Sequence, residues 1–172
     1  LGITWLVWDH ERQQSRQQLR AQFDFALRET VSRIDQRVAA YDQMLRGVQA
    51  LFTTTDIGNR AALRDYVDTL QLDANFSGSQ AILVIEKVVP GQKEGHVAEM
   101  RRHGLPDYAI HPDGEREIYT PVIQREPYVG RNQAPLGRDL WHDPTRRMAM
   151  EMARDSGQTA ITGKVQLSID KD

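Results

Sequence analysis

In a chain of 172 residues, 22 Lys+Arg stand against 24 Asp+Glu for a formal net charge of -2, so no strong field draws in a polyanion, and nucleic acid is a poor partner. Cysteine is absent, which removes disulfides, thiolate catalysis and Cys-based zinc sites while leaving cytosol and periplasm both open. The length suits one ordinary domain, alone or with a long helical extension.

The first eight residues, Leu1 to Trp8, are an apolar run that stops at Asp9-His10-Glu11-Arg12. Eight residues cannot cross a bilayer, which needs about 20, but they fit the end of a transmembrane helix, with Trp5 and Trp8 placed for the aromatic belt at its surface. An amphipathic start packed on a core is the other reading. From Asp9 to about Thr53, Phe23, Leu27, Val31, Ile34, Val38, Tyr41, Leu45, Val48 and Phe52 recur in steps of three and four. They predict one long helix with a single apolar seam. Such a seam needs a partner, either a later helix of this chain or the same helix of a second subunit.

Thr53-Thr54-Thr55 and Gly58 should end that helix, and Asn59 should cap a second one whose apolar face is Leu63, Tyr66, Val67 and Leu70. Gln80 to Val89 is a β-branched run closed by Pro90-Gly91, the pattern of a strand in mid-sheet. A helix from about Gln92 to His103, with Val97 and Met100 inward and Gly104 after it, precedes two short strands near 108–111 and 118–124. Pro112-Asp113-Gly114 turns between those strands, and 125–137 is a polar loop. Asp143-Pro144 opens a last helix that stops at Ser156-Gly157, and Thr159 to Ile169 alternates as a strand. The order is α+β: a long stalk helix, then an α/β subdomain with an antiparallel sheet. Four strands without a cover predict that the domain continues beyond Asp172.

No nucleophile elbow, phosphate loop, dinucleotide fingerprint or zinc-protease motif occurs. His96 and His103 lie two helical turns apart, too far to chelate one ion, and read as exposed surface histidines. No metal and no cofactor is expected. Glu115 and Glu117 beside Arg116 read as a solvated charge cluster, and Met148, Met150 and Met152 alternate by two, so that at least one should fill the core. Asp139 follows a Pro-Leu-Gly turn at the mouth of a helix and has two readings. It could accept a hydrogen bond from a ligand's amine or amide edge, or it could be a second capping carboxylate. A hydrolase or lyase working through Glu115, Glu117 or a histidine has no nucleophile–base pair to support it.

Seven segments then fall in a familiar order: 41–52 (YDQMLRGVQALF), 60–72, Phe76-Ser77-Gly78, Tyr119-Thr120-Pro121-Val122, Leu136-Gly137-Arg138-Asp139-Leu140, 147–157 and 159–167. Together they resemble the CHASE domain, the extracytoplasmic sensor module of bacterial histidine kinases and diguanylate cyclases and of plant cytokinin receptors. The resemblance implies a stalk helix carrying two PAS-like subdomains between two membrane spans, with the ligand in the membrane-distal one. It divides the chain into the end of a transmembrane helix (1–8), a stalk and dimerisation helix (9–55) and an incomplete PAS-like membrane-distal subdomain (56–172).

By the same resemblance the ligand pocket is lined by Tyr119, Pro121 and Val122, by Asp139 and Leu140, and by the strand entered at Ile161, Thr162 and Gly163. In the plant receptors the matching acidic position bonds an adenine-type ligand; here a cytokinin-like molecule, a peptide or another small organic ligand stays open, with Trp141 placed to narrow the cavity. The function implied is small-molecule sensing at the bacterial inner membrane. This segment is then periplasmic and non-enzymatic, and it forms a homodimer through the stalk, with a kinase or a cyclase/phosphodiesterase as output. The alternative is a periplasmic dimerisation stalk that binds no ligand.

Overall fold

The structure, a computed structural model, describes residues 2–55, 59–76, 78–130 and 133–166, with side chains from residue 16 onward. Helix α1 runs Gly2–Thr54 without a break. The chain divides into two compact units, Leu1–Met44 and Leu45–Asp172. In the first, residues 16–40 are exposed around the whole helix, the apolar stripe included; Phe23 is 68% exposed. Local ties such as Arg33 Nη2 to Glu29 Oε1, 2.6 Å one turn away, hold its surface. No helix among the described residues is long and apolar enough to cross a membrane.

In the second unit α1 ends as the threonines predict: the Thr53 and Thr54 hydroxyls donate back to carbonyls of Ala50 and Leu51, competing with continuation of the helix. Gly47 is required by close approach, since a Cβ there would run into the Tyr66 hydroxyl. Helix α2, Arg60–Leu70, starts at Asn59, whose side chain accepts from Ala62 N, and it buries Leu63 and Val67. Gln71 takes a left-handed turn (φ 50°) into the short α3, Leu72–Asn75, so the predicted single helix is broken one turn early.

Strand β1, Ile82–Ile85, pairs antiparallel with β2, Val122–Glu126, matching Ile82 to Glu126, Leu83 to Arg125 and Val84 to Gln124. The pairing continues as a bridge from Val88 to Tyr119. On the far side of the Tyr119–Val122 segment, Pro121 bridges Asp139, and Arg138 bridges His111. Among the described residues it is therefore the 119–126 stretch that has neighbours on both sides, while β1 lies at the margin. The expectation of β1 in mid-sheet is corrected: Ile82 is buried and Val84 partly so, while Leu83 between them is exposed.

A 3₁₀ turn, Pro90–Gln92, leads into α4, Lys93–Arg102, after which Gly104 adopts φ 91° as its predicted place after the helix requires. The core joins Val88, Met100, Tyr108, Ile110, Tyr119 and Ile123. Helix α5, Pro144–Ser156, is capped as predicted, with Asp143 accepting from Thr145 N (2.9 Å) and Arg146 N (3.4 Å) and Gly157 left-handed at its end. Replacing Asp143 by Ala is expected to cost about 1 kcal/mol, measured by urea denaturation. Burial raises the Asp143 pKa, but the two backbone donors and the Arg146 guanidinium outweigh it and set the carboxyl below its usual range. Its contribution to stability is thus present above the ordinary Asp pKa and fades as pH falls through the lowered one.

Two further expectations fail. Residues 159–166 carry no strand, and 167–169 lie outside the described residues. Alternation alone offered no partner backbone, and a strand exists only where one is supplied. Met148 and Met152 are exposed and Met150 only half-buried; Ala149 is the buried residue of α5, because the inward stripe of a helix follows a step of three or four rather than two.

Candidate functional site

Asp139 sits where three backbone segments meet. His111 N donates to Gly137 O (3.0 Å) and Asp139 N to His111 O (2.8 Å) on one side. On the other, Gly137 N donates to Val122 O (2.7 Å), Val122 N to Arg138 O (3.0 Å) and Leu140 N to Thr120 O (3.2 Å). The 137–140 segment is thereby stitched between 111 and 120–122. Gly137 makes this possible: its φ is 91°, and a Cβ would run into the Ala109 carbonyl.

The Asp139 side chain is fully buried, at 0% exposure. Its Oδ1 accepts from Thr120 N (2.7 Å), Thr120 Oγ1 (3.3 Å) and Trp141 N (3.0 Å). Its Oδ2 is buried without a hydrogen-bond partner and faces Arg116 Nη1 at 3.4 Å. Asp139 is therefore not a second helix cap, a role that Asp143 fills. Nor is Arg116 part of a solvated cluster: its side chain is only 14% exposed, with Nη2 donating to Pro112 O (3.0 Å) and Asp113 O (3.4 Å) and its guanidinium carbon 5.6 Å from the centre of the Tyr119 ring. Lys93 Nζ also lies over that ring, at 5.0 Å, and Tyr119 Oη donates to Gly114 O (3.1 Å) and accepts from Arg116 N (3.2 Å).

Of the residues expected to line a pocket, the structure brings together Tyr119, Pro121, Val122, Asp139 and Leu140. The first four are buried and Leu140 adjoins them through its bond to Thr120. Ile161, Thr162 and Gly163 lie in exposed, irregular chain, Ile161 at 72%; a Cβ at Gly163 would meet the Thr145 methyl at the start of α5. Trp141 is half-buried and contributes its backbone N–H to Asp139. A cavity of about 280 Å³ lies elsewhere, between the Gly104–Tyr108 turn and the chain from Tyr128 to Leu136, and none of the eight expected residues lines it.

The family model described as CHASE domain matches residues 58–172, more than half of the chain. The chain belongs to the CHASE domain family. CHASE is an extracytoplasmic sensor domain of signalling receptors and not a catalytic one. No curated protein matches the chain. The match begins after α1, so the 41–52 segment that contributed to the resemblance lies ahead of the matched residues.

Two polar clusters of this CHASE domain escaped sequence reasoning. Under α2, Gln124 Nε2 donates to Arg60 O (2.8 Å) and Glu126 Oε1 (3.0 Å), Arg60 Nη2 donates to Ile123 O (3.0 Å), and Arg64 Nε stands 3.7 Å from the buried Glu126. Burial lowers the Arg60 pKa, and Glu126 opposes that shift. Beside α4, His96 is 7% exposed, with Nε2 2.9 Å from Tyr108 Oη and Nδ1 3.4 Å from Glu86 Oε2. The reading of His96 as an exposed histidine is corrected. A helical step of four links it to Met100, which does face the core, and that spacing was the one available signal. Burial pushes its pKa below the ordinary histidine value despite Glu86 and Glu99, and burial pushes the Tyr108 phenol up.

Proposed function

We propose that this segment is the periplasmic sensing part of a bacterial inner-membrane receptor. It binds a small organic ligand in a PAS-like subdomain and relays occupancy through α1 to a cytoplasmic kinase or cyclase/phosphodiesterase. The observation that carries the ligand site is Asp139 Oδ2, a buried carboxylate oxygen with no hydrogen bond. Its ion contact to Arg116 leaves that oxygen without a hydrogen bond, which is costly, and an amine or amide N–H of a ligand would supply one in place of the guanidinium. Such a ligand signals only if it binds one arrangement better than another, and the Arg116–Asp139 contact distinguishes the two. Dimerisation through α1 is supported by its stripe of Phe23, Leu27, Val31, Ile34 and Val38, which stays exposed and has the spacing of a helix–helix seam.

A second reading, a stalk that dimerises and binds nothing, is supported by the chain's own groups filling the space around Asp139 Oδ1. Thermal unfolding against adenine derivatives, amino acids, short peptides and carboxylates separates the two. A ligand at about a hundred times its Kd is expected to add about 2.7 kcal/mol to the wild type and nothing to Asp139→Asn. A hit that survives Asp139→Asn removes Asp139 from the site, and a panel with no hit favours the stalk.

A further inference from the structure

We propose that His96 is an acid-sensitive latch, tying α4 to Tyr108 while its ring is neutral and letting α4 and the 104–108 turn loosen when the ring is protonated. The inference goes beyond ligand sensing and does not depend on it.

A neutral imidazole has one donor and one acceptor, and His96 has a phenol on one ring nitrogen and a carboxylate near the other. Glu86 Oε2 lies 3.4 Å from Nδ1 without a hydrogen bond, and its charge favours the tautomer with the hydrogen on Nδ1. Nε2, 2.9 Å from Tyr108 Oη, then accepts from the phenol. The rings meet edge-on, with centres 5.6 Å apart and planes at 64°. Protonation turns Nε2 into a donor. The Tyr108 O–H must turn away, and its hydrogen loses its acceptor beside the apolar cluster of Val88, Met100, Ile110 and Ile123. A buried donor without a partner and a buried cation both favour opening.

The charged groups around the pair come from several elements. Glu86 follows β1, Glu99 shares α4, and Arg60 reaches toward Tyr108 from α2. Arg101 Nε donates to Tyr108 O at 3.0 Å, a second tie between α4 and Tyr108. Glu86 and Glu99 favour the cation, but the Glu86 side chain is 39% exposed and shares its field with water. Burial outweighs both carboxylates and holds the His96 pKa below 6.5. A base whose folded pKa is lowered binds fewer protons folded than open. The latch is therefore fully closed above the unfolded pKa of about 6.5 and weakens as pH falls toward the lowered value.

Hydrogen exchange of the 172-residue chain at about pH 7.5 and about pH 5.5, corrected for the intrinsic rate, tests this. Amides of 96–105 are expected to lose up to about tenfold of their protection in acid, the limit set by pH 5.5 lying about one unit below the unfolded pKa, while those of α5 do not. His96→Gln, which cannot titrate, is expected to protect 96–105 equally at both values. Glu86→Gln removes a group that favours the cation, so the imidazole titration followed by NMR should move to lower pH, with the loss of protection following it. Equal wild-type protection at both pH values, an imidazole midpoint at or above 6.5, or acid loss that persists in His96→Gln overturns the latch. If His96→Gln does not fold, an unmoved midpoint in Glu86→Gln overturns it.

Discussion

Asp139→Ala is expected to destabilise the domain by about 3–5 kcal/mol, the range for removing one partner of a buried charge pair, and chemical denaturation measures it. The side chain is fully buried, and its loss strands three donors, Thr120 N, Thr120 Oγ1 and Trp141 N, together with the Arg116 guanidinium. Asp139→Asn keeps an acceptor at the Oδ1 position, so its cost is expected to be clearly smaller. That difference decides which variant is useful for binding: a ligand response lost in the alanine variant reports unfolding as readily as a missing contact. If Asp139→Ala unfolds like the wild type, the carboxylate holds nothing together, and the account of the three-segment junction is wrong.

Gly137→Ala is expected to be comparably severe. The backbone there is left-handed, which costs an L-residue roughly 1–2 kcal/mol, and the new methyl would meet the Ala109 carbonyl rather than a yielding side chain. Relief requires 137–140 to move off 109–111, which breaks the bonds between His111 and both Gly137 and Asp139. With that displacement added, the total is expected to reach about 3 kcal/mol or more, read as a shift in the denaturation midpoint at unchanged slope. A loss below about 1 kcal/mol would mean that this junction yields easily.

What the sequence announced reliably were local events. The Asn59 and Asp143 caps, Pro144 at the first helical position, Gly157 after the last and the uninterrupted period of α1 each depend on neighbours within four residues, and such chemistry is written in order along the chain. The contacts that make the candidate site are of another kind. Arg116 reads as solvated beside Glu115 and Glu117 because its partner, Asp139, is distant in sequence. His96 reads as exposed because Tyr108 and Glu86 reach it from outside its helix. The 137–140 segment has a Pro-Leu-Gly lead and too few residues to alternate, so only its bonds to 111 and 120–122 identify it as sheet-like. Thr159 to Gln166 shows the converse: it alternates well enough to suggest a strand and is not one, since pairing is a property of two segments.

Gln124 has a consequence for how the domain assembles. Its carboxamide spans from the α2 carbonyl of Arg60 to Glu126 two residues on, while its neighbour Ile123 belongs to the apolar core. Sliding β2 by one residue along β1 would move Gln124 and Glu126 to the opposite face of the strand pair, away from their partners under α2. A misaligned pairing of these strands would therefore carry an amide and a carboxylate without those partners. The polar ties under α2 act as a proofreading device, making the wrong alignment of two short strands costlier than their apolar residues alone would.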